Sequence, residues 1–482
     1  MARRNLGSAI FEKRRTGAPP IVLSDYETKY WDPAQLIVGA SGRDPSKQAA
    51  ALAECFCTIN EPILRQYNVS VNLVSVHSQP KVQFTTNENI GAFPLFSPTT
   101  GKAELAGVIE PWIKWQGLGS MMSIMGWKIV PSLQKLPCLP RSAREVPSWV
   151  ISSVVISRIE KLLDDIVRKY EIRKEDLKSP RGRIDWQEYA IKKFSKFDAL
   201  SLPCEFPSLE PNQTLMGVVH YTLRKLEGEL SGLRRNGSVV IKLLDRLDAL
   251  LKKVSGYSVI MPTPRLLNKW FYSAAPSGLL DAGLEAMRWC AEDRGLGGLS
   301  DLNGLPWKMN MADFFEAYVE TIVKKSVVYC GGLVKTDRIN ETTIPIAWQT
   351  LGRGSLKSLK PDIIVRRNNQ TVIVDAKFKR YGMELRQKRW GDTNEDAQNE
   401  HRHDLHQVIA YSSCFTTESL VSCLVYPCTK ESYENRLKQG NLHIRGRIRA
   451  AGRNIDLILT WVPLVGNIDF IAREFAKCFV IE

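Results

Sequence analysis

Two short apolar runs separated by a polar segment constrain the fold of this chain more than any other feature. The runs span residues 363–365 and 371–374, consist largely of Ile and Val, and enclose Arg, Asn and Gln residues. β-Branched residues favour strands, and two such runs around a short polar segment are typical of a β-hairpin. The sequence therefore predicts two antiparallel strands between Asp362 and Asp375.

Three ionisable residues stand at the ends of the predicted hairpin. Asp362 follows Pro361 just before the first strand, and Asp375 and Lys377 close the second strand. Residues two apart leave a strand on the same face, so Asp375 and Lys377 should project together, and the hairpin can bring Asp362 beside them. The pattern predicts two carboxylates and one amine at one end of a small sheet.

This set of side chains suits the hydrolysis of a phosphodiester. Carboxylate oxygens are hard ligands for Mg²⁺, which takes its remaining ligands from water and substrate phosphate. The bound ion can generate the attacking hydroxide, and Lys377 can orient that water or stabilise charge on the phosphorus centre. The alternative is a surface hairpin with an ordinary ion pair between Asp375 and Lys377, which the Asp-x-Lys tripeptide alone favours.

Flanking segments offer further side chains for the same centre. Residues 314–320 are predicted to form a helix that carries two carboxylates, Glu316 and Glu320. A second predicted helix, after the hairpin, carries Gln407 and Tyr411, which are four apart and so share one face. The helix, the hairpin and the second helix, followed by an apolar strand, indicate an α/β core with the site at one end of its sheet.

The order of these elements resembles that of a known nuclease family. A helix carboxylate, a Pro-Asp pair, an Asp-x-Lys element and a Gln-x-x-x-Tyr element are similar to those of McrC-like nuclease subunits of McrBC-type modification-dependent restriction systems, in the PD-(D/E)xK superfamily. The resemblance covers 310–426 and extends less fully over 146–305, where the segments 182–184, 203–206 and the helix at 214–215 also match. Met216 or Gly217 stands where the family would have an asparagine.

The resemblance implies roles for the hairpin residues. Asp362 and Asp375 would coordinate Mg²⁺, or Mn²⁺ as an alternative, together with the backbone carbonyl of Ala376. Lys377 would position or activate the attacking water.

The resemblance also implies roles for the helix residues. Glu316 would be the helix carboxylate, in indirect contact with the metal or supporting the lysine, and Glu320, one turn later, is the alternative. Gln407 and Tyr411 would hold the scissile strand and the metal shell.

For the whole chain, the resemblance implies a Mg²⁺-dependent DNA endonuclease subunit that cleaves double-stranded DNA. Its partner would be a McrB-like, GTP-hydrolysing AAA+ ring whose GTP hydrolysis it stimulates, and two complexes could dimerise to cut both strands. One alternative is a stand-alone nuclease that reads DNA through its own N-terminal domain. Another is a non-catalytic activator of the ring.

The charge of the chain agrees with a polyanionic substrate. Its formal net charge is +15 at pH 7, and basic residues cluster at 3–15 and again at 436–453. A basic balance favours binding to nucleic acid when a phosphodiesterase centre accompanies it. We expect the second cluster, and also Lys379 and Arg380, to contact DNA phosphates. The chain has no phosphate-loop motif of the G-x-x-x-x-G-K-[ST] type, so an associated motor should be a separate subunit.

The sequence predicts a cytoplasmic protein that does not enter a membrane. No apolar run approaches the roughly 20 residues that span a bilayer, and the basic N-terminus lacks the apolar core of a signal peptide. The ten cysteines are scattered, and Cys55-Phe56-Cys57 has no second pair at zinc-ribbon spacing. Reduced thiols are the expectation.

Three neighbouring histidines compete with the carboxylate site. His403 and His406 are three apart on a predicted helical face, and His401 lies close by. Such a set can bind zinc or act as a base. The alternatives are contact with phosphate and no specific role.

Tryptophans 112, 115 and 127 surround a segment rich in Gly and Met. Aromatic rings can stack on a base, which a reader of modified DNA requires. The alternatives are a surface that docks on a partner subunit and ordinary packing in the core.

The expected architecture is α/β with three parts. Residues 1–145 form a β-rich N-terminal domain that would dock the partner, 146–305 form a helical connecting domain, and 306–482 form the PD-(D/E)xK restriction-endonuclease-like core. Within the core, residues 380–402 are highly charged and are predicted to form a mobile loop over the site.

Overall fold

The structure of the chain is a computed structural model. It describes residues 20–37, 45–137, 148–165, 169–210, 212–234, 238–263, 265–267, 278–291, 305–348, 356–379, 395–450 and 453–479. The basic cluster predicted at 3–15 lies outside the described residues.

The chain forms two compact units, each with helices and sheets, so the predicted α/β class is confirmed. The first unit comprises Met1–Pro147 together with Asn303–Glu482, and the second comprises Ser148–Leu302. The first unit joins both ends of the chain because a strand at Trp307–Asn310 lies in a sheet with N-terminal strands.

Among the residues that the structure describes, the N-terminal part of the first unit has seven strands and three helices. They are β1 Ile21–Ser24, β2 Thr28–Trp31, α1 Pro33–Leu36, α2 Pro45–Gln66, β3 Val69–Val76, β4 Gln79–Thr86, β5 Asn89–Phe96, β6 Ala103–Glu110, α3 Lys114–Ile124 and β7 Ser132–Leu133. β2, β4 and β3 form one antiparallel sheet, whereas β1, β6, β5 and β7 belong to a five-stranded sheet.

In its described residues, the second unit consists of helices with one small sheet. Its elements are α4 Ser148–Asp165, β8 Lys169–Leu177, β9 Arg183–Ile184, α5 Trp186–Glu188, a π-helical turn Tyr189–Lys193, a 3₁₀ turn Phe194–Lys196, β10 Leu202–Glu210, α6 Gln213–Gly232, α7 Ser238–Val254 and α8 Gly278–Ala291. The helices follow the predicted apolar periodicity, and in α7 Leu243, Leu247, Leu250 and Val254 are buried on one face. The sheet, in the order β8-β10-β9, was not predicted.

The C-terminal part of the first unit supplies the candidate site. Its elements are β11 Trp307–Asn310, α9 Met311–Cys330, β12 Leu333–Thr336, a 3₁₀ turn Asp337–Ile339, β13 Ile344–Pro345, β14 Ser358–Leu359, β15 Ile363–Arg367, β16 Gln370–Ala376, α10 Glu395–Ser413, β17 Ser419–Cys428, α11 Lys430–Lys438, β18 His443–Ala450, β19 Arg453–Pro463, α12 Ile468–Ala476 and a 3₁₀ turn Lys477–Phe479. A six-stranded sheet has the order β12-β15-β16-β17-β19-β18.

The predicted hairpin is confirmed as β15 and β16, which pair antiparallel with Ile363 opposite Val374. The chain reverses at Asn368, whose φ of 46° lies in the left-handed region that asparagine tolerates better than most residues. β16, β17 and β19 run parallel, so their carboxyl ends meet at one edge of the sheet. Asp375 stands at that edge.

The helices beside this sheet begin where their sequences offer caps. Asn310 Oδ1 accepts the backbone N–H groups of Ala312 and Asp313 at the start of α9.

The helix α10 begins at Glu395, so the prediction of a loop over 380–402 is wrong for 395–402. These residues are helical although they lack the apolar stripe that marks most surface helices. The rest of that loop, 380–394, lies outside the described residues.

None of the helices that the structure describes combines the length and apolar character that a membrane span requires. The cysteines of the described residues are free thiols.

Candidate active site

The hairpin brings Asp362 to the second strand. The Oδ2 atom of Asp362 accepts the backbone N–H of Ala376 at 2.8 Å, across the open end of the hairpin. Burial raises the pKa of Asp362 well above its ordinary value, and the nearby charges of Asp375 and Glu316 raise it further. The hydrogen bond from Ala376 thus holds the Asp362 carboxyl near the carboxylate of Asp375.

Asp375 is fully buried and forms a close ion pair with Lys377. Its Oδ2 atom lies 2.7 Å from Lys377 Nζ. That contact is short, yet within the described part of the chain neither carboxylate oxygen of Asp375 has a hydrogen-bond donor in good geometry. Burial raises the pKa of Asp375, while Lys377 opposes the shift. A buried carboxylate without donors is a strong candidate for a cation ligand.

Lys377 lies between the hairpin and α10. Its Nζ donates to Gln407 Oε1 at 2.9 Å, and Gln407 Nε2 donates to the hydroxyl of Tyr411 at 2.7 Å. Burial opposes the charged form of Lys377, but Asp375 and Asp362 outweigh it, so that the pKa of Lys377 is raised. The two carboxylates therefore hold the lysine as a cation.

Glu316 faces the carboxylate pair. It contributes to the raised pKa of Asp362, and burial raises the pKa of Glu316 itself to about 7. The Arg338 guanidinium, 3.7 Å away, opposes that shift. The positive charge of Arg338 therefore does not fully offset the cost of ionising the half-buried Glu316 carboxyl.

Glu320, the alternative helix carboxylate, has a different environment. It is buried, and its oxygens lie 2.6 Å from Lys324 Nζ and 3.0 Å from Arg338 Nε. Lys128 lies 3.6 Å away. Burial raises the pKa of Glu320, but these cations outweigh it and the net shift is downward. Glu320 is already paired, which favours Glu316 as the carboxyl available to the site.

A second lysine enters the site from the chain just after the hairpin. Lys379 Nζ lies 3.0 Å from Asp404 Oδ1 and 3.4 Å from Glu400 Oε2. Asp404 is buried and its charge acts on both Asp375 and Lys377. The sequence analysis did not assign Asp404 a role. The signal available was its position three residues before Gln407, on the same helical face.

The three histidines separate on α10. His401 is buried with its Nδ1 3.1 Å from the hydroxyl of Tyr426, and burial lowers its pKa. His403 and His406 are exposed. The structure therefore does not bring the three rings to one point.

The three tryptophans also have separate environments. Trp127 is buried, the Trp115 ring lies 6.0 Å from that of Trp307, and the Trp112 ring lies 5.8 Å from that of Phe378. They do not form a common aromatic cage.

Of the basic cluster at 436–453, Arg436 is buried against the ring of Trp461 at 3.7 Å and is not a surface cation. Arg445, Arg447 and Arg449 alternate along the edge strand β18 and share a face. Across the sheet, the pairing of β16 with β17, of β17 with β19 and of β19 with β18 puts Ile444 level with Asp375. Arg447 lies three residues further along β18. This places Arg447 about 10 Å along the strand from that level.

The donor set fits a divalent cation of the Mg²⁺ type. The neighbouring carboxylates of Asp362 and Asp375 repel each other unless a cation lies between them, and the ammonium of Lys377 is not oriented to donate a hydrogen bond to either oxygen of Asp375. Carboxylate and carbonyl oxygens are the ligands that Mg²⁺ and Mn²⁺ prefer. The described residues contain no group of three or more His, Cys, Asp and Glu side chains already gathered around one metal position. The remaining ligands would thus come from Ala376, water or substrate.

Comparisons with known proteins give a family match and similar solved structures. A half-complex from a tetradecameric assembly of Thermococcus gammatolerans McrB AAA+ hexamers with bound McrC is 14% identical, covers 96% of this chain and 100% of that chain, and has a TM-score of 0.39. The cryo-EM structure of the Thermococcus gammatolerans McrBC complex is 12% identical, covers 64% of this chain and 88% of that chain, and has a TM-score of 0.25. No curated protein matches the chain.

The family match falls on the segment that carries the site. Residues 307–427 match the family described as McrBC 5-methylcytosine restriction system component. This segment contains α9, the β15–β16 hairpin and α10. The predicted resemblance to a component of McrBC restriction systems is therefore confirmed over this segment.

Proposed function

We propose that this chain is the Mg²⁺-dependent DNA endonuclease subunit of a McrBC-like restriction system, with residues 306–482 as its PD-(D/E)xK nuclease core. The observation that carries the proposal is the pair of half-buried Asp362 and buried Asp375 beside Lys377, inside the segment that matches the family. Mn²⁺ is an alternative metal.

The residues of the site have distinct parts in the reaction. Asp362, Asp375 and the Ala376 carbonyl would hold the metal, which supplies a Lewis acid and lowers the pKa of bound water. Lys377 is held as a cation and stabilises negative charge on the phosphorus centre, while Gln407 fixes its direction. Tyr411 in turn orients Gln407. Glu316 would complete the metal shell, directly or through water.

The partner in this proposal is a McrB-like AAA+ ring that hydrolyses GTP, and the substrate is double-stranded DNA. The chain would stimulate the ring and cleave DNA when bound to it, with residues 1–145 in docking. Lys379 and the arginines of β18 would contact DNA phosphates. Pairing of two complexes would allow both strands to be cut.

An exposed apolar cluster in the second unit is a further candidate for docking the ring. None of residues 174–200 is buried. Within them Trp186, Ile191, Phe194, Phe197 and Leu200 are exposed by 63% to 98%. Three such aromatic rings alone present on the order of 400 Å² of apolar surface, and patches of this size mark interaction sites. Lys192 and Lys193, in the same segment, pair with Glu188 and Asp176 of the same unit.

Cleavage of modified plasmid DNA by the purified full chain tests the proposal. With Mg²⁺, GTP and the AAA+ partner we expect cleavage, and the variant Asp375→Ala should abolish cleavage while it retains partner binding and GTPase stimulation. Asp456→Asn, a change to a carboxylate on the same sheet that pairs with Arg447 at 2.6 Å, is the matched control.

Other results identify the alternatives. Cleavage by the chain without a GTPase would establish a stand-alone nuclease. Stimulation of GTP hydrolysis without any cleavage under Mg²⁺ or Mn²⁺ would establish a non-catalytic activator. Loss of cleavage, binding and GTPase stimulation together in Asp375→Ala would contradict the division of roles.

A further inference from the structure

The residue between the two site lysines is an aromatic anchor. Phe378 is 2% exposed, and around it the N–H of Lys379 donates to the carbonyl of Lys377 at 3.0 Å, which closes a tight turn. The lysines on either side reach α10 through Gln407 and Asp404. The burial of the Phe378 ring therefore fixes the turn from which both amines project.

The ring of Phe378 meets three other aromatic rings. Its centroid lies 5.7 Å from that of Phe315, 5.8 Å from that of Trp112 and 6.2 Å from that of Tyr26. Phe315 precedes Glu316 on α9. Tyr26 and Trp112, however, come from the N-terminal part of the chain, more than 250 residues away in sequence.

One buried carboxylate fixes the backbone near both N-terminal rings. Asp25 is fully buried, its Oδ1 accepts the N–H of Trp112 at 2.7 Å, and its own N–H donates to the carbonyl of Glu110 at 3.1 Å. Tyr26 follows it with a φ of 52°, in the left-handed region that non-glycine residues rarely adopt. Residues held in such a conformation need support from their surroundings.

A carboxylate of α10 also acts on Tyr26 electrostatically. Burial raises the pKa of its hydroxyl, and the charges of Glu88, Asp25 and Glu400 add to the shift. Glu400 is one of the two carboxylates that pair with Lys379. Glu400 therefore interacts electrostatically with Tyr26 and forms an ion pair with Lys379.

We propose that Tyr26 and Trp112 are positioning residues for the nuclease centre, which act on Lys377 and Lys379 through the Phe378 ring. The inference rests on the proposed nuclease function and assigns the N-terminal part of the chain a role in the reaction besides docking. Displacement of a positioned group by about 1 Å can lower a reaction rate by about 100-fold. Loss of either ring should thus slow cleavage without changing the metal ligands.

The experiment compares two tryptophans in the full chain. Trp112→Leu removes a ring from Phe378, whereas Trp115→Leu is the matched control, since Trp115 is also half-buried, lies three residues later and packs on Trp307 instead. Single-turnover cleavage, DNA affinity and unfolding temperature are measured for both, together with Trp112→Phe as the conservative variant. In the absence of DNA, reductive methylation of Lys377 is followed by mass spectrometry.

We expect Trp112→Leu to lower the cleavage rate by about 10- to 100-fold with unchanged DNA affinity, and to speed methylation of Lys377 severalfold. Trp115→Leu should have the wild-type rates of cleavage and of Lys377 methylation. Trp112→Phe should have rates close to those of the wild type. Equal losses in the two leucine variants, or an unchanged rate and unchanged methylation in Trp112→Leu, would overturn the inference. If the wild-type chain never cleaves DNA, the proposed function fails, while the methylation of Lys377 still decides the positioning role.

Discussion

The ammonium group of Lys377 donates to the side-chain carbonyl of Gln407 at 2.9 Å, which ties the β15–β16 hairpin to α10. The two residues are 30 apart in sequence and belong to different elements of the sheet-and-helix core. Because the amide group of Gln407 is itself held by Tyr411, the position of the lysine depends on a chain of two hydrogen bonds.

Gln407→Leu should therefore lower the rate of cleavage. Loss of one hydrogen bond to a charged group costs about 1.5–3 kcal/mol, which corresponds to about 10- to 150-fold in rate if the bond is intact in the transition state. Tyr411→Phe should have a smaller effect in the same direction, because it leaves the bond between Lys377 and Gln407 in place. Single-turnover rates with saturating Mg²⁺ measure both. A wild-type rate in Gln407→Leu would show that Lys377 needs no such support.

Asp375→Asn should remove the stabilisation that a divalent cation gives to the fold. A ligand at 100 times its Kd stabilises the state it binds by about 2.7 kcal/mol. We expect Mg²⁺ or Mn²⁺ to raise the unfolding temperature of the wild-type chain and of Asp456→Asn, but not that of Asp375→Asn. Ca²⁺ serves as a second probe of the same ligands. Equal shifts in all three proteins would place the cation elsewhere.

Glu316 and Glu320 should affect stability with opposite signs. The pKa of Glu316 is raised to about 7 in the folded chain from an ordinary value of 4.5. Ionisation of Glu316 therefore lowers the free energy of unfolding. This destabilisation is absent below pH 4.5, grows between pH 4.5 and 7, and reaches its full value of at most about 3 kcal/mol above pH 7. Without metal, Glu316→Gln should thus raise the unfolding temperature at pH 8 and leave it unchanged at pH 4.

The pKa of Glu320 is lowered, so its contribution to stability is present above its unfolded pKa and is lost as the pH falls through the folded value. Glu320→Gln should destabilise the chain at pH 8, because three cations lose their partner. Thermal unfolding at the two pH values checks both variants. A destabilised Glu316→Gln at pH 8 would mean that Arg338 compensates its burial in full.

Lys379→Ala should weaken DNA binding with little dependence on DNA sequence. If Lys379 contacts one phosphate, its loss reduces the slope of log K against log salt by about 1. Lys430→Ala is the matched control, since Lys430 lies on α11 and pairs with Glu434 at 3.8 Å. Fluorescence anisotropy at several salt concentrations, in the presence of Ca²⁺, provides the measurement. Identical slopes for the two variants would exclude the contact.

Phe194→Ser together with Phe197→Ser should weaken binding to the AAA+ ring. Val259→Ser with Met261→Ser is the control, because these side chains are also exposed and lie in the same unit. Affinity for the assembled ring, measured by analytical ultracentrifugation or anisotropy, should fall at least about tenfold only for the first pair, as for the loss of interface hot spots. Equal affinity in both pairs would leave docking to the N-terminal part.

The sequence predicted those parts of the site that neighbouring residues determine. The hairpin, α9 and α10 follow from local apolar periodicity, and Gln407 and Tyr411 share a face because they are four apart. The proximity of Asp362 to Ala376 required only the pairing of adjacent strands. The roles of the residues remain predictions.

Contacts between distant segments were beyond such patterns. Nothing in the local sequence indicates that Trp112 meets Phe378, or that Asp404 pairs with Lys379 across 25 residues. The start of α10 was mistaken for a loop because its first turns are polar on all sides. The sheet of β8, β9 and β10 was overlooked because Lys169–Leu177 is rich in charged residues and lacks the apolar alternation of a half-buried strand.

The pairing of β11 with β5 bears on how this chain can be divided. Trp307 is almost fully buried opposite Ala92, and the strand continues directly into α9, which carries Glu316. A fragment that begins at residue 306 would keep every proposed metal ligand. It would, however, leave β11 without its partner strand β5 and expose the indole ring of Trp307 to solvent. Residues 306–482 expressed alone would therefore form an aggregation-prone polypeptide. A chimaera that takes its N-terminal part from a relative would need to preserve the pairing of β11 with β5.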